Sequence, residues 1–157
     1  MRRTFLVLLV TVAFGVSTSV AVAGNVHFKN GGGPSPTTSG DSLTLTVDGT
    51  LVGLGVAPGT IELDVFGTLT TTCQNPGTND KIVASQGGSG PIASGTVAIN
   101  PDNITKSGNY TFTVSATASG GSCPNSNWTK TVTANFTSYN LVVTQGSKVT
   151  TLGPFTP

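Results

Sequence analysis

The chain has 157 residues, of which 8% are charged, against about a quarter in an ordinary globular domain. Both arginines, Arg2 and Arg3, lie at the extreme N-terminus, and from Gly24 onward five Lys face six Asp and Glu, a net charge of −1. No cationic stripe exists to displace the counterions of a phosphate backbone, so a basic nucleic-acid binder is excluded.

Residues 1–23 have the three parts of an export signal. Arg2 and Arg3 precede an apolar run from Phe5 to Val16, and Ala21-Val22-Ala23 is a small-x-small cleavage site before Gly24. Ser17, Thr18 and Ser19 interrupt the apolar stretch, which falls short of the roughly 20 strongly apolar residues of a spanning helix. The expectation is cleavage at residue 23 and a secreted, extracellular domain over 24–157 that spans no membrane.

That domain is lopsided in composition: 24 Thr, 20 Gly, 13 Ser and 9 Pro make up 66 of its 134 residues. Thr suits a pleated strand, and Gly and Pro punctuate turns. A short strand is expected at Val26–Lys29, loosely tethered because Gly31–Gly40 reads as a flexible connection. Leu43, Leu45 and Val47 then alternate with Thr44, Thr46 and Asp48. From Ile61 to Cys73 the odd positions are mostly apolar and the even ones mostly polar, the period of two that no helix produces. Gln74–Asp80 is a turn-rich loop, followed by short strands at Lys81–Ser85 and Gly95–Ile99. Tyr110 to Ala118 alternates against Thr111, Thr113, Ser115 and Thr117. Trp128, Val132, Ala134 and Phe136 alternate with Thr129, Thr131, Thr133 and Asn135, leaving Lys130 as the one charge on the apolar side. Asn140–Thr144 and Lys148–Leu152 flank Gln145-Gly146-Ser147, a hairpin turn with glycine at the positive-φ position. Eight or nine short strands with no helical period predict a single antiparallel β-sandwich, Ig-like or Greek-key in type.

Cys73 and Cys123 are the only cysteines, so one intramolecular pairing exists. A metal pair lacks histidines at zinc-ligand spacing, and no Cys-x-x-Cys marks a redox pair. In an oxidising compartment the pair reads as a structural disulfide that either pins loops at one rim of the sandwich or crosses between its sheets.

Site chemistry is sparse. His27 is the sole histidine, expected to face solvent on its strand, and no Gly-x-Ser-x-Gly elbow presents a nucleophile. Glu62 and Asp64 share one strand face about 7 Å apart, a span open to an inverting glycosidase pair but equally to two solvated carboxylates. Asp80 and Asp102 lie among Asn75, Asn79, Asn100 and Asn103, which offer calcium oxygens, yet the pattern matches turn chemistry and no Ca²⁺ loop motif. The reading is therefore of a protein with no catalytic residues, no cofactor and no metal. Asn-x-Thr sequons at Asn103, Asn109, Asn127 and Asn135 follow from a chain rich in Asn and Thr. Phe66 and Tyr139 are the aromatics that offer a ligand contact. Little charge guards the strand edges and the net charge is near zero, so self-association is expected to be accessible.

The succession Gly24-Asn-Val-His-Phe28, Leu43-Thr-Leu-Thr-Val47, Gly53-Leu-Gly55, Cys73-Gln-Asn-Pro-Gly77 and Cys123-Pro-Asn-Ser-Asn-Trp128 resembles small exported bacterial proteins of actinobacterial type, without assigned activity. The resemblance implies the fold, the bridge and the location. The functional expectation is a structural or interaction protein of the cell exterior working through β edges, with a module binding envelope polysaccharide as the alternative.

Overall fold

The computed structural model describes residues 24–78, 81–83 and 90–157, and the signal reading of 1–23 lies outside them. Among the described residues nine strands form two sheets: β1 His27–Phe28, β2 Ser35–Thr38, β3 Thr44–Val52, β4 Gly59–Gln74, β5 Lys81–Val83, β6 Ala93–Ile99, β7 Tyr110–Thr117, β8 Thr129–Gln145 and β9 Lys148–Phe155. Every pairing is antiparallel. The expected all-β sandwich with one disulfide is what the chain forms.

In the first sheet β3 is central. β7 lies along one side of it, while β1 and β2 lie in tandem along the other, against Leu51–Val52 and Leu45–Asp48. In the second sheet β4 and β8 are central, β6 and β5 lie in tandem on the far side of β4, and β9 lies on the far side of β8. The alternation read from the sequence decides which face is dry. Leu45, Val47 and Leu51 of β3 and Phe112, Val114 and Ala116 of β7 meet Ile61, Leu63 and Val65 of β4 and Leu141 and Val143 of β8. Burial of such apolar faces, at about 25 cal/mol per Å² removed from water, is the main force joining the sheets.

One side of the sandwich is closed where β6 and β7 run close together. A Cβ at Gly95 would collide with the Ser115 carbonyl, so only glycine permits this approach. Tyr110 stitches the same side, its hydroxyl donating to the Ala98 carbonyl at 3.0 Å.

Three expectations are corrected. The first strand is not loosely tethered: Val26 is 2% exposed, and the Phe28 ring packs on Phe112 and Phe155 at 6.4 and 5.7 Å. The Gly24 and Lys29 amides donate to the Gly53 and Thr50 carbonyls. Nor is Gly31–Gly40 a plain connection, since Ser35–Thr38 is an edge strand whose Pro36 needs no ladder partner for a missing N–H. Its turn into β3 is held by Asp41, which accepts from the Ser39 hydroxyl and the Leu43 amide. Those two bonds, the hydroxyl first, keep the Asp41 carboxyl below its ordinary pKa. Third, the segments expected at 128–136 and 140–144 are one strand, β8.

The parity of β8 flips because Phe66 pairs with Ser138 and Gly67 with Phe136, leaving Thr137 as an extra residue. Before the bulge Ala134 points inward. After it, Tyr139, Leu141 and Val143 do.

The Cys73–Cys123 bridge is formed, with the Cα atoms 5.6 Å apart. Cys73 lies near the end of β4, so the bridge sits at a rim and ties down the coil after β7. That coil covers the inner face of the outer β4–β8 ribbon. It passes so close at Gly120 that a Cβ there would strike the Thr71 hydroxyl and the Val132 methyls. Lys130 fastens it, donating from Nζ to the Gly120 carbonyl at 2.9 Å. The Thr71 hydroxyl beneath is fully buried and has no hydrogen-bond partner. Replacing it by the isosteric valine removes an unsatisfied polar group, so Thr71→Val is expected to stabilise by about 1 kcal/mol in equilibrium denaturation. A loss of stability on that substitution would mean that the hydroxyl is satisfied in solution.

Candidate functional site

The two long strands of the second sheet differ in how much of their length is covered. β4 has β8 on one side and, on the other, β6 along Gly59–Val65 and β5 along Thr72–Gln74, leaving Phe66–Thr71 without a partner strand there among the described residues. β8 has β4 along its whole length, but its register with β9 runs only from Gln145 opposite Lys148 to Tyr139 opposite Phe155. For Thr129–Thr137, no strand among the described residues pairs with the outer side of β8.

Local sequence explains why this length stays extended. β-branched Thr129, Thr131, Val132, Thr133 and Thr137 favour a pleated strand, and β4 supplies a matching run of threonines opposite. The hydroxyl-bearing side chains of Thr129, Thr131 and Thr133 and the amide of Asn135 are exposed on one face. On the other face Ala134 is buried, Val132 and Phe136 are half-buried, and Lys130 is exposed at its start. Below Ala134–Phe136 lies a cleft of about 180 Å³, lined also by Thr38, Ser42 and Pro157.

The other edges are better guarded. β2 has four residues and carries Pro36. The outer side of β9 carries Pro154, which has no N–H, and Lys148, whose ammonium donates to the Gly24 carbonyl. β6 and β7 face each other. The stretch Thr129–Thr137 has one charge, Lys130, and that ammonium is turned back onto the coil.

The outer face of the first sheet is a second regular feature. Thr44 bonds Thr117 at 2.9 Å, Thr46 bonds Ser115 at 2.8 Å, Thr113 donates to Asp48, and Thr50 bonds Thr111 at 3.1 Å. These side chains satisfy one another across the two strands, which stabilises the sheet and ties up hydrogen-bonding capacity that a ligand would use.

The residues singled out from the sequence are scattered. His27 is exposed, with Nδ1 2.8 Å from the Asn25 carbonyl oxygen. Glu62 and Asp64 are half-buried on the outer face of β4, and Asp64 accepts from the Ser94 hydroxyl at 2.7 Å. Opposite them stand Thr96 and Val142, and Ser94 and Asn140, with no further acid. The Asn75 and Asn100 side chains accept from the Gly77 and Asp102 amides, which is turn and cap chemistry. Asn79 and Asp80 lie outside the described residues. Among the described residues no three His, Cys, Asp or Glu side chains gather as a metal site.

Phe66 is half-buried, with its carbonyl accepting from the Thr137 hydroxyl at 3.3 Å. Tyr139 is 1% exposed, its ring centroid 5.4 Å from that of Phe155, and burial raises its phenol above the ordinary pKa. The proposed ligand contact at Tyr139 is therefore corrected: the bulge that reverses the parity of β8 turns this ring into the core.

Gln145 was missed. Read from the sequence as a turn residue, it is 1% exposed and ends β8, while the turn proper is Gly146-Ser147 with Gly146 at φ +60°. Its amide holds the β3–β4 loop. Oε1 accepts from the Gly55 amide at 2.9 Å, and Nε2 donates to the Gly55 carbonyl at 2.8 Å and to that of Ala57. The uncovered edge was missed for a related reason, since it becomes long only when the two short segments join into one strand.

Fold and edge together define a disulfide-bonded all-β sandwich in which, among the described residues, Thr129–Thr137 is the longest stretch of strand left unpaired on one side. No family model, curated protein or solved structure matches the chain. Among the described residues no helix is long and apolar enough to cross a membrane.

Proposed function

We propose that this is a secreted, non-enzymatic structural or interaction protein of the bacterial cell exterior, and that it works by adding a strand to the outer side of Thr129–Thr137. One observation carries the reading: among the described residues no strand pairs with the outer side of Thr129–Thr137, and no proline and a single, inward-bound lysine protect it. An exposed strand edge offers a row of backbone donors and acceptors to any extended partner. The bridge and the export-type N-terminus support an extracellular setting, in which disulfides persist. The polysaccharide reading has less support. It relied on Phe66, Tyr139 or loop Asn residues, and of these Tyr139 lies in the core while Asn75 and Asn100 are engaged in turn and cap bonds.

Light scattering behind a sizing column, on oxidised residues 24–157, tests this reading. The wild type is expected to form species larger than one chain as concentration rises. Thr131→Lys/Thr133→Lys, which puts two ammonium groups on exposed positions of the edge, is expected to run as a monomer. A wild type that stays at the mass of one chain, and a purified extracellular fraction in which the chain is unassociated, would sink the idea.

A further inference from the structure

The geometry points to a second copy of this chain as the strand that completes β8, paired antiparallel about a two-fold axis at Thr133. This inference rests on the edge reading above and names its partner. β4 takes the N–H and C=O groups of alternate residues of β8, so the groups free to bond outward also belong to alternate residues. Two such edges can pair antiparallel only in registers that bring outward-bonding residues opposite one another. In those registers odd residues face odd residues and even face even, so the polar face of one copy continues into the polar face of the other.

Of these registers, the one centred on Thr133 spans the stretch most fully, with regular alternation from Lys130 to Phe136, up to the bulge at Thr137. Thr129 lies opposite Thr137 of the second copy, Thr131 opposite its Asn135, and Thr133 opposite its own counterpart. Hydroxyl and amide side chains then meet across the junction, as Thr44 and Thr117 or Thr46 and Ser115 do within one chain. On the inner face Val132 lies opposite Ala134, and Lys130 opposite Phe136. The two Lys130 ammonium groups are thereby kept apart, so no like charges meet directly. The second copy's Val132 comes to the side of Ala134 where the 180 Å³ cleft provides room. A two-fold contact of this kind is self-complementary and closed, giving a dimer rather than a fibre.

Cysteine cross-linking tests the register. At the axis the two residues at position 133 lie about 4.5–5.5 Å apart, within disulfide reach. Two residues at position 131 lie about 13 Å apart, four residue steps along the strand, beyond that reach. Under mild oxidation, with the native bridge intact, Thr133→Cys is expected to yield a covalent dimer at twice the chain mass. Thr131→Cys alone is expected to stay monomeric, and a mixture of Thr131→Cys with Asn135→Cys to give the covalent heterodimer. These side chains are exposed, and circular dichroism of each variant checks that the sandwich is intact. If wild type associates in light scattering and Thr131→Lys/Thr133→Lys stays monomeric while neither Thr133→Cys nor the mixed pair cross-links, the pairing about Thr133 is overturned and the edge reading stands. Equal cross-linking of Thr131→Cys and Thr133→Cys overturns the register. Absence of both association and cross-linking overturns the second-copy pairing, and a chain that is unassociated in the extracellular fraction as well overturns the edge reading with it.

Discussion

A Cys73→Ser/Cys123→Ser variant is expected to melt about 15 °C below the oxidised wild type. The bridge joins residues 50 apart in sequence, and closing a loop of that length restrains the unfolded chain by about 4 kcal/mol. For a domain of this size each kcal/mol lowers the midpoint by about 4 °C. Folded-state geometry adds a local effect. The outer β4–β8 ribbon has only the coil around Gly120 over its inner face, and that coil is anchored by the bridge and by Lys130. Without the bridge the coil is left with the exposed Lys130 bond and, at its start, the Ala118 amide bond to the Leu43 carbonyl, so the ribbon is expected to open before the sandwich does. Limited trypsin digestion reads this directly. Cleavage after Lys130 is expected to become the earliest cut in the variant, with cleavage after Lys29, whose neighbour Phe28 is packed on two aromatic rings, much later. A midpoint equal to that of the wild type, or an unchanged order of cuts, would show that the coil is held by its other contacts.

The same ribbon explains what could be read from the sequence and what could not. Strict period-two alternation marked β4, β7 and the start of β8, because each has one dry and one wet face over a long run. The two cysteines paired as their number required. The unbroken course of β8 was hidden because a bulge at Thr137 reverses which parity is buried, and a one-residue insertion looks like the end of one strand and the start of another. Tyr139, beside the same junction, was offered as a ligand contact through the same ambiguity. β2 was hidden by composition. Glycines and prolines read as a linker, yet an edge strand tolerates Pro36, and the Asp41 turn sets its register. An open edge is a property of what is missing beside a strand, and pattern within the strand does not encode it.

Gln145 shows how a single polar side chain can hold two layers together, and its replacement is expected to have the second large effect. The β3–β4 loop carries the chain from one sheet to the other, and its Gly55 and Ala57 backbone groups have Gln145 as their side-chain partner. Gln145→Ala removes three hydrogen bonds and leaves a void at a site 1% exposed. Unsatisfied backbone groups cost about 1–3 kcal/mol, so a net loss of about 3 kcal/mol is expected in urea denaturation. Gln145→Glu separates the hydrogen bonds from packing, because the shape is kept while the donor atom becomes an oxygen. At neutral pH a buried carboxylate would face the Gly55 and Ala57 carbonyls, and its folded-state pKa is raised, since only the protonated acid can donate there. A raised carboxyl pKa destabilises the folded state above the unfolded value of about 4.3 and ceases to do so below it. Relative to wild type, Gln145→Glu is therefore expected to be the less stable protein at pH 7 and to recover as the pH falls below about 4. A pH-independent difference between Gln145→Glu and wild type would show that the side chain fills space at this corner without donating to the loop.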